Sequence, residues 1–236
     1  MIVEERIVSY INSLEKENSP VLEEIEKEAR KDGVPIIRKE MESFLRVMLS
    51  IKKPMRILEL GTAVGYSAIL MSECINGKGQ IITIENYDKR IPVAKKNFIR
   101  AGVIDKITLI EGDAADVLKT LEGDAMEIMP TLESDQFDFV FMDAAKAQYI
   151  HFLPEVLPLM KKDGVLITDN VLQEGDLIQS KYVVRRRDRT IHKRMREYLE
   201  VVKNHHNLKP QLCQLVMELQ CQLKNRKEGL HDLVLE

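Results

Sequence analysis

Cysteine is scarce in this chain of 236 residues, and the three present are Cys74, Cys213 and Cys221. Their spacing fits neither a zinc site nor a disulfide framework. That excludes a zinc finger and a cross-linked secreted scaffold, and it suits a reducing, cytoplasmic setting. Glycine and proline are also few, eleven and eight, too few for a collagen-like or disordered chain. No apolar run approaches the ~18–20 residues that a membrane span needs, so no membrane partner is expected. The opening stretch MIVEERIVSYINSLEKE is acidic and amphipathic, without the basic and apolar regions of a signal peptide.

What is present suits one large domain with a helical arm. Hydrophobic residues make up 44% and charged residues 31%, enough to bury a core and stay soluble. The net charge of −3 is unevenly spread. Residues 181–196, KYVVRRRDRTIHKRMR, hold eight Lys or Arg against one acid, on an otherwise acidic chain. Composition leaves two readings of that stretch, a phosphate-binding patch or a solvated helix face.

The first fifty residues read as helices. Ile7, Ile11 and Leu14 recur at helical spacing, Ser19-Pro20 opens a second segment that stops at Gly33, and Met41, Phe44, Leu45 and Met48 share one face of a third. From Pro54 short apolar runs alternate with helical stretches. The runs are 56–60, 80–85, 106–112, 137–143 and 164–170, with helices near 65–75, 88–101, 113–122 and 146–161. This grammar predicts an α/β fold with a doubly wound parallel sheet, its ligand crevice at the strand C-terminal ends. The expected organisation is an arm over 1–52, a core over 53–208 and an atypical tail over 209–236.

Within LELGTAVGYSA (58–68), Gly61 permits a tight turn and Gly65 lets the chain enter the next helix. The G-x-x-x-G spacing differs from the dinucleotide fingerprint. Glu85 ends the second run, where an acid can accept both hydroxyls of a ribose. Asp113 ends the third, as a ligand or as a helix cap. FMDAAKAQY (141–149) and ITDNV (167–171) carry a sharper constellation. Asp143, Asp169 and Asn170 at neighbouring strand ends offer three hard oxygen ligands, a set that suits Mg²⁺. Lys146, about one turn beyond Asp143, can reach an oxygen on that metal, and a nearby cation would push its pKa down toward base duty.

Residues 55–170 resemble the cation-dependent, S-adenosylmethionine-dependent O-methyltransferases of the catechol and caffeoyl-CoA type, in the order and spacing of these motifs. The resemblance implies a Rossmann-like methyltransferase sheet. It places Gly61, Gly65 and Ser67 near the methionine end of the cofactor, Glu85 on the ribose and Asp113 with Ala114 by the adenine. It also puts Asp143, Asp169 and Asn170 on the metal, with Asp143 shared by the cofactor, and makes Lys146 the catalytic base. Family members are commonly homodimers.

ARKDGVPI (29–36) and RRRDRTIHKRMREYLEVV (185–202) further resemble the bacterial tRNA 5-hydroxyuridine methyltransferases, which make 5-methoxyuridine at the wobble position. The chemistry permits it, because the 5-hydroxyl and neighbouring 4-carbonyl oxygens form a pair that can chelate Mg²⁺ as a catechol does. Arg185, Arg186, Arg187, Arg189, Lys193 and Arg194 are then the expected contacts to anticodon-loop phosphates. One alternative is a small-molecule enzyme acting on catechol-like hydroxyls, and another is a catalytically silent RNA-binding protein.

The tail departs from this pattern. In the family the last strand begins with a sequence like PIGDG, whereas this chain reads KPQLCQLVMELQCQLK over 209–224. Written with permitted codons and read from the last base of the Leu212 codon, the same DNA gives MPIGDGIAMSI. The expectation is a frameshift near Lys209, in the gene or its sequencing. As written, Leu215, Met217, Leu219, Cys221 and Leu223 alternate like a strand, while Leu212, Leu215, Val216, Leu219 and Leu223 line a helix. A tail unable to pair would leave a sheet edge open.

Overall fold

The computed structural model describes residues 5–75, 77–123, 137–214 and 218–224. Three helices come first, α1 (Glu5–Ser13), α2 (Pro20–Lys31) and α3 (Lys39–Lys52). Ser19 caps α2 by accepting the Leu22 amide, and Pro20 sits in the first turn, where its missing amide hydrogen costs nothing. Strands and helices then alternate as β1 (Arg56–Leu60), α4 (Tyr66–Cys74), β2 (Gln80–Glu85), α5 (Ile91–Arg100), β3 (Ile107–Glu111) and α6 (Ala114–Gly123). They continue with β4 (Phe137–Met142), a 3₁₀ turn at Lys146–Gln148, α7 (Tyr149–Leu159) and β5 (Met160–Asp169). Short 3₁₀ turns at Gln173–Ile178 and Arg186–Asp188 lead into α8 (Arg189–Asn204), β6 (Leu208–Gln214) and β7 (Glu218–Lys224).

The seven strands form one sheet in the order β3-β2-β1-β4-β5-β7-β6. β1 to β5 pair in parallel, and β7 runs antiparallel between β5 and β6. The parallel strands are buried on both faces, so successive residues feed two cores. Ile57, Phe139, Phe141 and Ile167 pack with Leu22, Met41, Leu45 and Ile69 on one side. Leu58, Val140, Met142 and Leu166 pack with Leu118, Phe152, Met195 and Tyr198 on the other. Residues Tyr66 to Ser72 of α4 are all buried, because the sheet covers one side of this helix and α2 and α3 pack on it from outside. Its largely apolar sequence, without a fully polar face, has that cause.

Two elements differ from the sequence reading. β5 begins at Met160 rather than 164, because Met160 pairs with Phe137 before the register shifts to Val165 opposite Phe139. Asp163, at φ 61°, turns the chain inside that irregularity. The described part of the tail, 209–214 and 218–224, takes the strand option, while Leu215, Val216 and Met217 lie outside the described residues. β7 pairs Asp169 with Leu219 and Val165 with Leu223, so β5 has a partner and the anticipated open edge does not form. The pairing on offer at β5 outweighs the helical leaning of Gln, Leu, Met and Glu. The first four residues and 225–236, most of the rest of the tail, lie outside the described residues. Among the described residues no helix is long and apolar enough to cross a membrane.

Candidate active site

The C-terminal ends of the five parallel strands border a cleft of about 720 Å³. Gly61, Ser67, Glu85, Asp113, Ala114, Asp143, Lys146, Asp169 and Asn170 all line it, joined by Pro35, Ile36 and Ile37 from the arm. Of the residues assigned to this cleft from sequence, only Gly65 stands back. A Cβ there would sit 2.5 Å from Cε1 of Phe98, and its φ of +84° admits glycine most readily. Gly65 therefore shapes the turn into α4. Gly61, at φ +99°, lies against the main-chain carbonyl of Asp143, and a Cβ would collide with it. The glycine lets the ends of β1 and β4 close on each other.

At the β2 end Glu85 accepts the Ala63 amide at 2.7 Å on one oxygen and the Asn86 and Tyr87 amides at 3.1 and 3.0 Å on the other. These contacts fix its carboxylate across the glycine turn and leave about one lone-pair site for a ligand hydroxyl. Asp113 accepts the Ala115 amide at 2.9 Å and so caps α6, while its carboxylate also faces the cleft. The two readings of Asp113 are compatible.

The β4 and β5 ends carry the densest charge. Lys146 Nζ lies 2.6 Å from Asp143 Oδ1 and 3.1 Å from the Tyr149 hydroxyl. Asp169 is 1% exposed. One of its oxygens accepts the Asn170 amide at 2.7 Å, and the other, Oδ2, is buried without a hydrogen-bond partner. Burial first, then the Asp143 carboxylate, push the Asp169 carboxyl up, against the opposing pull of Lys146 and Asn170. Asn170 holds φ 57°, a left-handed conformation that asparagine tolerates better than most side chains.

An orphaned carboxylate oxygen beside a second carboxylate and an amide fits a hard divalent cation. Among the described residues no three His, Cys, Asp or Glu side chains converge on one point. Such an ion would therefore be held by Asp143, Asp169 and Asn170, with water and substrate completing its shell. For Lys146, burial pulls the pKa down, but Tyr149, Asp143 and Asp169 together outweigh it and raise the group. Without a cation these neighbours hold Lys146 protonated, the reverse of the lowering expected beside bound metal.

The basic segment divides. Arg185, Arg186, Arg187, Arg189 and Lys193 are exposed. Arg189 donates to the carbonyls of Val184 and Tyr182, and Lys193 lies 3.6 Å from Glu197. Arg187 lies 3.6 Å from Asp188. Arg194 is half-buried and donates to the carbonyl of Ala147 at 3.2 Å, next to Lys146. Its guanidinium fastens α8 to the Lys146–Gln148 turn.

Sequence reasoning passed over two residues at the site. Tyr149 is fully buried and touches Lys146, and it stacks edge-on against Tyr198, whose hydroxyl is 2.7 Å from Thr168 Oγ1. Glu59 is also fully buried, under the cleft floor, and holds the hydroxyls of Ser67 and Thr83 at 2.5 Å each. Burial pushes its carboxyl up to about 7, against the lowering by those two hydroxyls. The available signal was an acid in the middle of the apolar run RILEL.

The fold is the Rossmann-like methyltransferase fold. The Bacillus cereus O-methyltransferase, solved in complex with SAH, superimposes with a TM-score of 0.80 over 94% of this chain and 97% of its own, at 23% identity. The chain belongs to the O-methyltransferase family, whose sequence profile matches residues 12–209. It is 29% identical over 135 residues to a catechol O-methyltransferase of Niastella koreensis, covering 57% of this chain and 58% of that protein. It is 31% identical over 139 residues to caffeoyl-CoA O-methyltransferase 1 of Eucalyptus globulus, covering 57% of this chain and 52% of that protein. The matches thus span a little over half the length of these curated relatives.

Proposed function

We propose that this chain moves the methyl group of S-adenosylmethionine onto one oxygen of a vicinal oxygen pair held by a divalent cation, and that the acceptor is 5-hydroxyuridine at the tRNA wobble position. The observation that carries the chemistry is the unpartnered, buried Oδ2 of Asp169 beside Asp143, Asn170 and Lys146. Glu85 is set to bind the ribose of the donor, and the cleft is large enough to hold donor and acceptor together. When bound, Mg²⁺ supplies Lewis acidity that lowers the pKa of the acceptor hydroxyl. With that cation bound, Lys146 would lose its own proton and its neutral amine would then take the one from the acceptor hydroxyl, while the walls of the cleft would hold the two substrates in line.

The tRNA reading is supported by the position of the basic segment. α8 packs on the Lys146–Gln148 turn through Arg194, and Arg185, Arg186 and Arg187 stand exposed just ahead of that helix. A phosphate backbone bound there would lie beside the cleft. The second reading, a small-molecule enzyme for catechol-like hydroxyls, is favoured by the names of the relatives. The two separate in one assay with labelled S-adenosylmethionine, offering tRNA that carries 5-hydroxyuridine beside a catechol, with and without chelator. Label entering the tRNA only when metal is present is the expected result. Label confined to the catechol would hand the site to the second reading.

A further inference from the structure

The segment between Asn170 and α8 is tied down by its main chain. Arg196 donates to the carbonyl of Leu177 at 2.9 and 2.8 Å and to that of Gln179 at 3.0 Å. His192, itself buried, lies 3.1 Å from the same Gln179 carbonyl. Arg189 donates to the carbonyls of Tyr182 and Val184, and the Val184 side chain is buried. Three side chains of α8 therefore grip carbonyls along 177–184. Between those grips Ser180 to Val183 form a β-turn, closed by the Val183 amide on the Ser180 carbonyl at 2.9 Å. Lys181 and Tyr182 are its corner residues.

Of the six Tyr and six Phe residues, Tyr182 is the most exposed, at 75%. The turn that carries it is already ordered, so a ligand stacking on the ring meets little further loss of freedom. Its surroundings are cationic. No acid occurs from Ile178 to Arg187, and Lys181, Arg185, Arg186 and Arg187 are exposed along that stretch. The next residue, Asp188, lies 3.6 Å from Arg187. The Lys181 ammonium lies 5.1 Å from the centre of the Tyr182 ring.

The turn also belongs to the cleft end of the molecule. α8 leads into β6, whose first residue, Leu208, pairs with Lys224, while the other end of β7 brings Leu219 beside Asp169. α8 therefore begins at the cleft end, where Arg194 holds the Ala147 carbonyl. An exposed ring among cations matches a ligand that offers a flat π face and a phosphate together, as a nucleotide in a strand does. The base must be unpaired, because bases within a duplex are already stacked on one another.

We propose that Tyr182 is a stacking platform for an unpaired nucleobase of an RNA loop, whose phosphates lie along Arg185, Arg186 and Arg187. This rests on the tRNA reading of the site. The ring adds affinity for loops over duplexes, which the cations alone do not distinguish. Stacking neutralises no phosphate, so it acts on affinity without acting on salt dependence.

The test uses two labelled RNAs, an anticodon stem-loop carrying 5-hydroxyuridine in its loop and a blunt duplex of the same length. Binding is measured across a salt series for the wild type, Tyr182→Ala and Tyr182→Phe, with thermal melting to establish folding. Tyr182→Ala should bind the stem-loop about tenfold more weakly at every salt concentration, with the slope of the wild type. Tyr182→Phe should bind it as the wild type does, and the duplex should bind all three proteins alike. Equal losses in the Ala and Phe variants would make the hydroxyl the contact and overturn the proposal. A flattened slope, or an equal loss on the duplex, would reduce the ring to a support for the basic strip. A change in sedimentation of Tyr182→Ala would assign the ring to contact with a second copy of the chain. A wild type that binds neither RNA would sink the tRNA reading itself, whereas tight binding unchanged in Tyr182→Ala would sink only the role of the ring.

Discussion

The Lys146 ammonium and the Asp143 carboxylate form an ion pair at 2.6 Å, three residues apart in sequence, across the loop that leaves β4. The proposed base is thus held by the same carboxylate that would bind the cation. Replacing Lys146 with Met should lower kcat by about 10²–10⁴-fold, the range for loss of a positioned proton acceptor. Affinity for S-adenosylhomocysteine should hardly change, because Lys146 is not needed to seat it. Full turnover by Lys146→Met in a single-turnover assay would remove Lys146 from the chemistry.

The unpartnered oxygen of Asp169 sets a prediction for metal binding. Mg²⁺ or Mn²⁺ at a hundred times its dissociation constant should stabilise the protein by about 2.7 kcal/mol. Asp169→Asn should lose most of this rise in Tm. An equal rise in that variant would place the cation elsewhere.

The divided basic segment predicts two phenotypes. Changing Arg185, Arg186 and Arg187 together to Ala should weaken tRNA binding at every sequence and reduce its salt slope by about one for each phosphate no longer neutralised. Arg194→Ala should instead depress kcat, since its bond to the Ala147 carbonyl steadies the turn that bears Lys146. Filter binding across a salt series, beside turnover, separates the two. A triple variant with an unchanged slope would reduce the strip to a solvated face.

Glu59 predicts a pH dependence of stability. Its carboxyl titrates near 7 in the fold and near 4.5 when unfolded. Between those values the folded state holds the extra proton, so stability is greatest below about 4.5 and falls as pH rises through 7. The loss is on the order of 3 kcal/mol. Glu59→Gln has no proton to lose, so it should melt progressively higher relative to wild type from pH 5 to pH 8. Parallel melting curves across that range would contradict the burial argument.

The tail predicts a result at the level of the gene. Reading the DNA across codons 209–224, with the intact mass of the product, is expected to reveal the frame that encodes MPIGDGIAMSI. In-frame DNA for QLCQLVMELQ together with the matching mass would dismiss a sequencing error and leave mutation as the only form of frameshift.

The parallel sheet was legible because its grammar is local. RILEL, QIITIE and FDFVFMD each carry a short apolar run, the first stopped by Gly61 and the other two by an acid, and all three form strands at those places. The acids at strand ends were legible for the same reason, since a polar side chain that ends a buried strand has the cleft to face. Glu59 was hidden because its meaning depends on Thr83, a residue brought opposite only by sheet pairing. Arg194 was grouped with its charged neighbours because sequence shows its charge and not its burial. The tail had two balanced periodicities, and β5, distant in sequence, decided between them.

The seating of β7 gives the molecule an order of completion. Its residues follow every other strand in the chain, yet they settle beside β5, with Leu219 opposite Asp169. During synthesis the flank of the strand bearing that aspartate waits for a partner until residue 219 has been made. A ribosome that slips near residue 209 therefore spares every side chain of the cleft and still alters the last rung that closes beside it. Such damage should show in the yield of folded enzyme before it shows in the specific activity of the molecules that do fold.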